Sequence, residues 1–379
     1  MRARELGIRI GDLAPGPEDA ITDVEGVRVG HSTIISGEGP LFVGEGPVRT
    51  GVTVVCPREG LARDEPAFAG AERFNGDGEM TGLEWIREAG TLSTPVAITS
   101  THSVGVVRDA LIEVEMEDHT GEEYWCLPVV AETYDGTLND INGQHVGVGH
   151  AREALASASR GPVEEGSVGG GTGMICHEFK GGIGTASRRT PETEGGWTVG
   201  ALVQANYGRR QTLRVDGAPV GRVLSTELIP SPFEQEQETP PAGTGSIIVV
   251  LATDAPLLPI QCDRLAKRAG IGLGRMGGGL SDGSGDIFLA FATGNRGLPP
   301  DGLQNQRATV PLEMVTNEYI SPLFYAAAEA TEAAILNALL AAGDMTGRDN
   351  ITAYGLTPEL LLGALDEARP LCARHDVGT

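Results

Sequence analysis

The sequence predicts a layered α/β protein, sheets inside and helices outside, built as one domain over residues 1–379. Three observations carry that prediction. Short runs rich in β-branched residues alternate with segments of helical period along the whole chain. Clustered glycines, 55 in all, fall at the junctions, where tight turns and close backbone approaches favour them. No shift of composition and no internal repeat divides the chain, and a hydrophobic share of 40% is enough for a sizeable core.

The elements follow in order. Residues 21–31 read as a turn and then a strand, and Gly51–Cys56 as a second strand stopped at Pro57. Asn75-Gly76 and Asp77-Gly78 are turn pairs, and Thr81 is placed to cap a short helix reaching Glu88. Thr94–Thr101 reads as a strand. Ser103–Met116 has helical spacing, with Val106, Val107, Leu111, Ile112 and Val114 apolar. Leu127–Thr133 is a strand running into a turn at Asp135-Gly136, and a helix is expected near His150–Ser159. Thr198–Asn206 is a strand. Residues 231–245 are acidic and Pro-rich, an exposed linker. Ile247–Asp254 is a buried strand, and Leu257–Ala269 a helix with Leu258, Cys262, Leu265 and Ala269 on one face. Ile287–Ala292 is another strand. An Ala-rich helix covers Leu323–Ala342, and Thr357-Pro358-Glu359 opens a last helix running to Ala368.

Composition excludes several function classes. A formal net charge of −24 repels phosphate backbones and anionic lipid, so neither nucleic acid nor membrane is expected as a partner. No long apolar span suggests a transmembrane helix. The charged first residues have no apolar stretch behind them, so no secretory signal is seen and a cytoplasmic location is expected. Cys56, Cys126, Cys176, Cys262 and Cys372 are scattered and form no CxxC, which supports neither a disulfide framework nor a zinc site. Cys126 and Cys262 read as packed thiols. His31, His102, His145, His150 and His177 lack ligand spacing, so neither a metal nor a cofactor is expected.

Several places could carry chemistry. Gly245-Ser246 stands at the mouth of the buried strand. Gly245 offers an unhindered carbonyl and Ser246 a hydroxyl one residue away. An N→O acyl shift and hydrolysis there would cut the chain and free the α-amine of Ser246. Such an amine titrates near about 7.7–8.0, where it can serve as the base a serine hydroxyl needs. Taken alone, the pattern is more commonly a loop entering a core strand. Ser284 and Asp286 flank Gly285 at a strand start, and period two points them the same way. They either manage a proton beside the nucleophile or bond to local turn backbone. Glu132 and Tyr134 share a face by the same rule. Gly169–Gly173 is similar to a tubulin-type nucleotide loop, although the chain has no GxxxxGK[ST] and no GxGxxG in a strand-turn-helix setting.

ITDVEGVRVGH (21–31), NGDGEMTG (75–82), AETYDGTLND (131–140), VGGGTGM (168–174), KGGIGTASR (180–188), VQANYGRR (203–210), GTGSIIVVLATDAPL (243–257) and GSGDIF (283–288) occur in this order. Together, and nearly end to end, the chain resembles the self-processing serine aminopeptidases, which include the L-aminopeptidase/D-amidase/esterases and the β-peptidyl aminopeptidases. The resemblance implies a four-layer αββα sandwich, Ntn-hydrolase-like and of the DOM type. It implies autocleavage between Gly245 and Ser246 into associated fragments 1–245 and 246–379. Ser246 then matches the nucleophile, Ser284 and Asp286 its supporting serine and carboxylate. Asn206 and Tyr134 match the residues that stabilise the tetrahedral intermediate, and Glu132 the group that holds the substrate's free amine. Asp286 stands where the family often has the longer glutamate. The implied substrates are small peptides, amino-acid amides and esters, and the implied assembly is a homo-oligomer, often a tetramer.

The chemistry of these residue types agrees. Asn and Tyr are neutral donors able to meet an oxyanion, and a carboxylate reads a cationic amine through charge-assisted hydrogen bonds. Three alternatives stand beside this reading. One is a self-processing acyltransferase with an amine as acceptor, although such enzymes generally carry threonine where this chain has Ser246. Another is a nucleotide-binding or assembly protein using Gly169–Gly173. The third is a processed but inactive scaffold.

Overall fold

A computed structural model describes residues 1–117, 125–235, 245–300 and 308–373. Most of the expected 231–245 linker lies outside the described residues. The first half of the chain holds β1 (Arg28–Ser36), β2 (Val48–Cys56), β3 (Ala67–Gly76), α1 (Leu83–Ala89), β4 (Thr91–Leu92), β5 (Val96–Ser100), α2 (Val104–Glu117), β6 (Val129–Thr133) and α3 (Val148–Ser157). Then come β7 (Ile175–Cys176), β8 (Phe179–Lys180), β9 (Gly182–Arg189), β10 (Thr198–Asn206), β11 (Gly245–Thr253), α4 (Pro259–Ala266), α5 (Ala269–Arg275) and β12 (Ser284–Ala292). The chain closes with α6 (Ser321–Ala341), β13 (Met345–Thr346), β14 (Thr352–Ala353) and α7 (Pro358–Ala373).

Two sheets carry the fold, one ordered β1-β2-β5-β6 and the other β4-β3-β12-β11-β10-β9. Strand alternation assigns their faces. On β11, Ile248, Val250 and Ala252 turn toward the other sheet and share a core with Val29, Val55, Ile98 and Val129. Ile247, Val249 and Leu251 turn the opposite way, against Leu265, Leu323 and Leu336 of the helices. The outer face of the smaller sheet, with Val52, Val54 and Val130, packs on Val107 and Leu111 of α2 and on Ala151 and Ala154 of α3. The order of layers is therefore α, β, β, α, as expected. A strand buried on both faces has no polar side to show, which is why β11 is continuously apolar. Each fully buried Val, Leu or Ile contributes about 1.5–3 kcal/mol.

Glycines set two of the layer contacts. A Cβ on Gly184 of β9 would stand 2.0 Å from the Ala334 carbonyl of α6, and one on Gly30 of β1 would stand 2.1 Å from the Ala154 carbonyl of α3. Helix backbone thus rests directly on strand backbone.

Several expectations are corrected. Residues 317–341 are long and apolar enough to cross a membrane, with mean hydropathy 1.3 over an 18-residue window, yet 89% of that window is buried inside the protein. Thr81 does not cap α1. Gly82 holds that position, and the Thr81 hydroxyl donates to Pro128 O at 2.7 Å and accepts the Val130 amide at 2.9 Å, tying the turn to β6. The helix expected over 257–269 is α4, Pro259–Ala266, and a further helix not expected, α5, follows it. Strand β3 was not expected, and α7 runs beyond Ala368.

Candidate active site

The end of β10 and the starts of β11 and β12 meet at one edge of the larger sheet. Register places Asn206 opposite Ser246 and Ser246 beside Gly285. Gly245 enters β11 at φ +150, and a Cβ there would stand 2.4 Å from Asn206 O. Both the backbone angle and the space require glycine before Ser246. Ser246 is buried, and its hydroxyl accepts the Gly285 amide at 3.2 Å. By alternation Ser246 and Asn206 follow Ile248, Val250 and Leu202, so their side chains face the second sheet.

Ser284 and Asp286 do share a face. The Ser284 hydroxyl donates to Asp286 Oδ1 at 2.6 Å. Their face is that of Phe288 and Ala290, toward the helices, so they lie behind the strand backbone rather than beside the Ser246 hydroxyl. Burial pushes the Asp286 carboxyl up, while hydrogen bonds from Ser284 and the Ile247 backbone oppose the rise. Its Oδ2 is buried without a hydrogen-bond partner among the described residues.

Glu132 comes from β6 in the other sheet. Its Oε1 accepts the Glu79 amide at 3.0 Å and its Oε2 accepts the Thr101 hydroxyl at 2.5 Å. Burial pushes this carboxyl up too, against those two bonds. Two glycines bring it to Ser246. A Cβ on Gly78 would stand 3.0 Å from Gly285 Cα and 3.1 Å from Glu132 Oε1. Gly78 therefore fills the narrow space between the carboxylate and the residue whose amide holds the Ser246 hydroxyl.

The Asn206 amide is fixed at both ends. Its Oδ1 accepts the Ile175 amide at 2.7 Å, and its Nδ2 donates to Tyr134 O at 2.8 Å. That polarity leaves one Nδ2 hydrogen for a further acceptor. Tyr134 lies just past β6 and is 49% exposed, with its ring over Gly136. Its carbonyl, rather than its hydroxyl, makes the bond to Asn206. Thr101, Gly78, Glu79 and Ile175 were missed as site residues, because their contacts arise across sheets and leave no local pattern. A cavity of about 390 Å³, lined by Tyr207, Arg209, Thr212, Leu280 and Asp282, opens beside Ser284.

The glycine cluster offers no phosphate cradle. The amides of Gly169 and Gly170 donate to the hydroxyls of Thr33 and Thr53, at 2.8 and 3.1 Å, and the Gly171 amide to Val168 O at 2.9 Å. Cβ atoms on Gly170 and Gly171 would stand 2.2 Å from Gln204 Oε1 and 2.5 Å from the Ile183 amide. The segment is a buried spacer between the sheets, which removes the nucleotide-loop reading.

Comparison with known proteins decides the family. Residues 19–353 match the model of peptidase family S58. The chain belongs to peptidase family S58. It is 49% identical to "Beta-peptidyl aminopeptidase BapA" of Sphingosinicella microcystinivorans, over 98% of this chain and 93% of that protein. The fold matches that of a Burkholderia sp. beta-aminopeptidase with TM-score 0.90 at 59% identity, covering 97% of this chain and 99% of the other. It matches the L-aminopeptidase D-Ala-esterase/amidase of Ochrobactrum anthropi, described as a variant of the Ntn hydrolase fold, with TM-score 0.87 at 43% identity, covering 97% and 98%. This S58 member is accordingly an aminopeptidase/amidase, a peptide hydrolase on an Ntn-type fold.

Proposed function

We propose that Ser246 is the nucleophile, exposed by self-cleavage of the Gly245-Ser246 bond. The observation that carries this is the convergence of Ser246 and Asn206, on the inner face at one end of the larger sheet, with Glu132 of the facing sheet, and with Ser284–Asp286 behind the same backbone. In maturation the Ser246 hydroxyl attacks the Gly245 carbonyl carbon. The C–N bond breaks, an ester forms, and the freed amine takes the proton. Water then cleaves the ester, leaving a Gly245 carboxylate and fragments 1–245 and 246–379.

In turnover Glu132 holds the substrate's ammonium group. The Ser246 hydroxyl passes its proton to its own α-amine and attacks the carbonyl of the substrate's first residue. The remaining Asn206 Nδ2 hydrogen, with Tyr134 at the rim, meets the oxyanion. The leaving amine takes the proton from the α-amine, and water releases the acyl group. Ser284 and Asp286 hold that α-amine from the far side of the strand. Substrates are small peptides, amides or esters with a free amine, and the names of the similar proteins support N-terminal β-amino acids as the first class to assay. Family resemblance supports a homo-oligomer, a tetramer, which sedimentation would test. Intact mass under denaturing conditions tests the core of the reading. The protein should give two species, the smaller beginning Ser-Ile-Ile-Val-Val, and Ser246→Ala should give one inactive, uncut chain. An active Ser246→Ala protein refutes it.

A further inference from the structure

Lys180 is a buried cation that the mechanism above does not use. It is 0% exposed, and no carboxylate pairs with it among the described residues. Its Nζ donates instead to three backbone carbonyls, those of Gly171 at 3.3 Å, Met174 at 2.9 Å and Gly181 at 2.8 Å. Three acceptors match the three N–H bonds of an ammonium, and a neutral amine would leave one acceptor unmet. Burial pushes the group down to about 7, and the three carbonyls favour its charged form.

One of those carbonyls matters more than the others. The Met174 carbonyl and the Ile175 amide are the two ends of a single peptide group. Lys180 donates to one end, and the other end donates to Asn206 Oδ1 at 2.7 Å. Lys180 also pairs with Ile175 across β7 and β8. A continuous line of hydrogen bonds thus runs from the ammonium through one peptide to the Asn206 amide, whose Nδ2 faces the reaction. A positive charge on the carbonyl makes the amide a stronger donor, and chains of this kind strengthen along their length in a low-dielectric interior.

We propose that Lys180 is a positioning residue for the reaction, fixing and polarising the Asn206 amide through the peptide that joins Met174 to Ile175. The inference rests on Asn206 as the oxyanion donor.

The test is a double-mutant cycle with Lys180→Met, Asn206→Ala and the pair. An aminoacyl p-nitroanilide serves as substrate, and rates are taken per mole of cut chain counted by denaturing mass. Asn206→Ala should lower kcat by about 10²–10³-fold. Lys180→Met should lower kcat by about 10–100-fold with KM nearly unchanged, and the double variant should lose little more than Asn206→Ala alone. A structural role alone would lower the melting temperature and leave kcat per cut chain unmoved. If the variants fold but stay uncut, the same cycle is run on the rate of self-cleavage, which forms the same oxyanion. If Lys180→Met does not fold, Lys180→Gln, which keeps two N–H donors, takes its place. Parental kcat in the Lys180 variant, or losses that multiply, overturns the proposal while Asn206→Ala is impaired. Full activity in Asn206→Ala overturns the oxyanion reading itself, and this proposal with it.

Discussion

Replacing Gly285 with alanine should cripple the enzyme through sterics alone. The new Cβ would stand 2.4 Å from Asp77 O, 2.7 Å from Gly78 Cα and 2.8 Å from the Asp77 carbonyl carbon. All three are backbone atoms, in a turn tied down by the Asp77 amide to Ser284 O at 3.2 Å and by the Glu79 amide to Glu132. Reaching an ordinary contact of 3.4 Å from 2.4 Å requires about 1 Å of displacement, 3.4 − 2.4. If the turn yields, the amide leaves Glu132; if β12 yields, the Gly285 amide leaves the Ser246 hydroxyl. A misplacement of about 1 Å costs on the order of 10²-fold, about 2.7 kcal/mol of transition-state stabilisation. Gly78→Ala is the graded companion. Its nearest contacts, 3.0 and 3.1 Å, need an opening of about 0.4 Å, 3.4 − 3.0, and should cost only a few-fold. Both are read as kcat/KM on an aminoacyl p-nitroanilide. A Gly285→Ala enzyme within about twofold of the parent would show that the close approach of the two loops does not set the site.

Three further outcomes are expected. Burial holds Glu132 above the ordinary glutamate value of about 4.3, so KM for free-amine substrates should begin to climb, as pH falls, at a higher pH than that value implies. Glu132→Gln should raise KM where the carboxylate is charged, near neutral pH, and flatten that limb, and an unchanged pH profile would sink the assignment. The raised Asp286 carboxyl binds its proton more readily folded than unfolded, so its charge costs stability as pH rises through the raised value. Asp286→Asn should therefore raise the melting temperature near neutral pH, lose that gain in acid, and lose activity. Gly363 is exposed within α7 and nothing lies within 4 Å of a Cβ there. Gly363→Ala should gain about 0.5–1 kcal/mol with kcat unchanged, and a lower melting temperature would contradict the helix.

What the sequence made legible follows from periodicity. Ile247–Thr253 was readable because a fully buried strand is a bounded β-branched run, and the Ser284–Asp286 bond follows from the two-residue repeat. Strand β3 leaves a weak pattern because Ala67–Gly76 mixes alanine and glycine with Glu72 and Arg73, and its longer partner is a strand some two hundred positions later. Helix α5 escaped because Gly270, Gly272 and Gly274 argue against a helix locally. Gly272 is needed for packing, since a Cβ there would stand 2.6 Å from Ala328 O of α6. The residues of the site were named from family motifs, but their grouping was not legible. Glu132 reaches the Gly78-Glu79 turn beside Gly285 across the gap between sheets, and no spacing along the chain encodes that approach.

The strand order β3-β12-β11-β10 has a consequence for the proposed self-cleavage. The two central strands belong to fragment 246–379, and their neighbours on both sides belong to fragment 1–245. Pulling the fragments apart would mean unzipping two ladders at once and stripping α6 from β9 and β10. Dissociation would then be the same event as unfolding. A precursor that unfolds can return by a unimolecular route at any concentration. A cut enzyme that unfolds would have to find its other half by diffusion, and its recovery would depend on dilution. Maturation would thus turn a self-contained fold into an obligate pair, durable while folded and poorly able to restart.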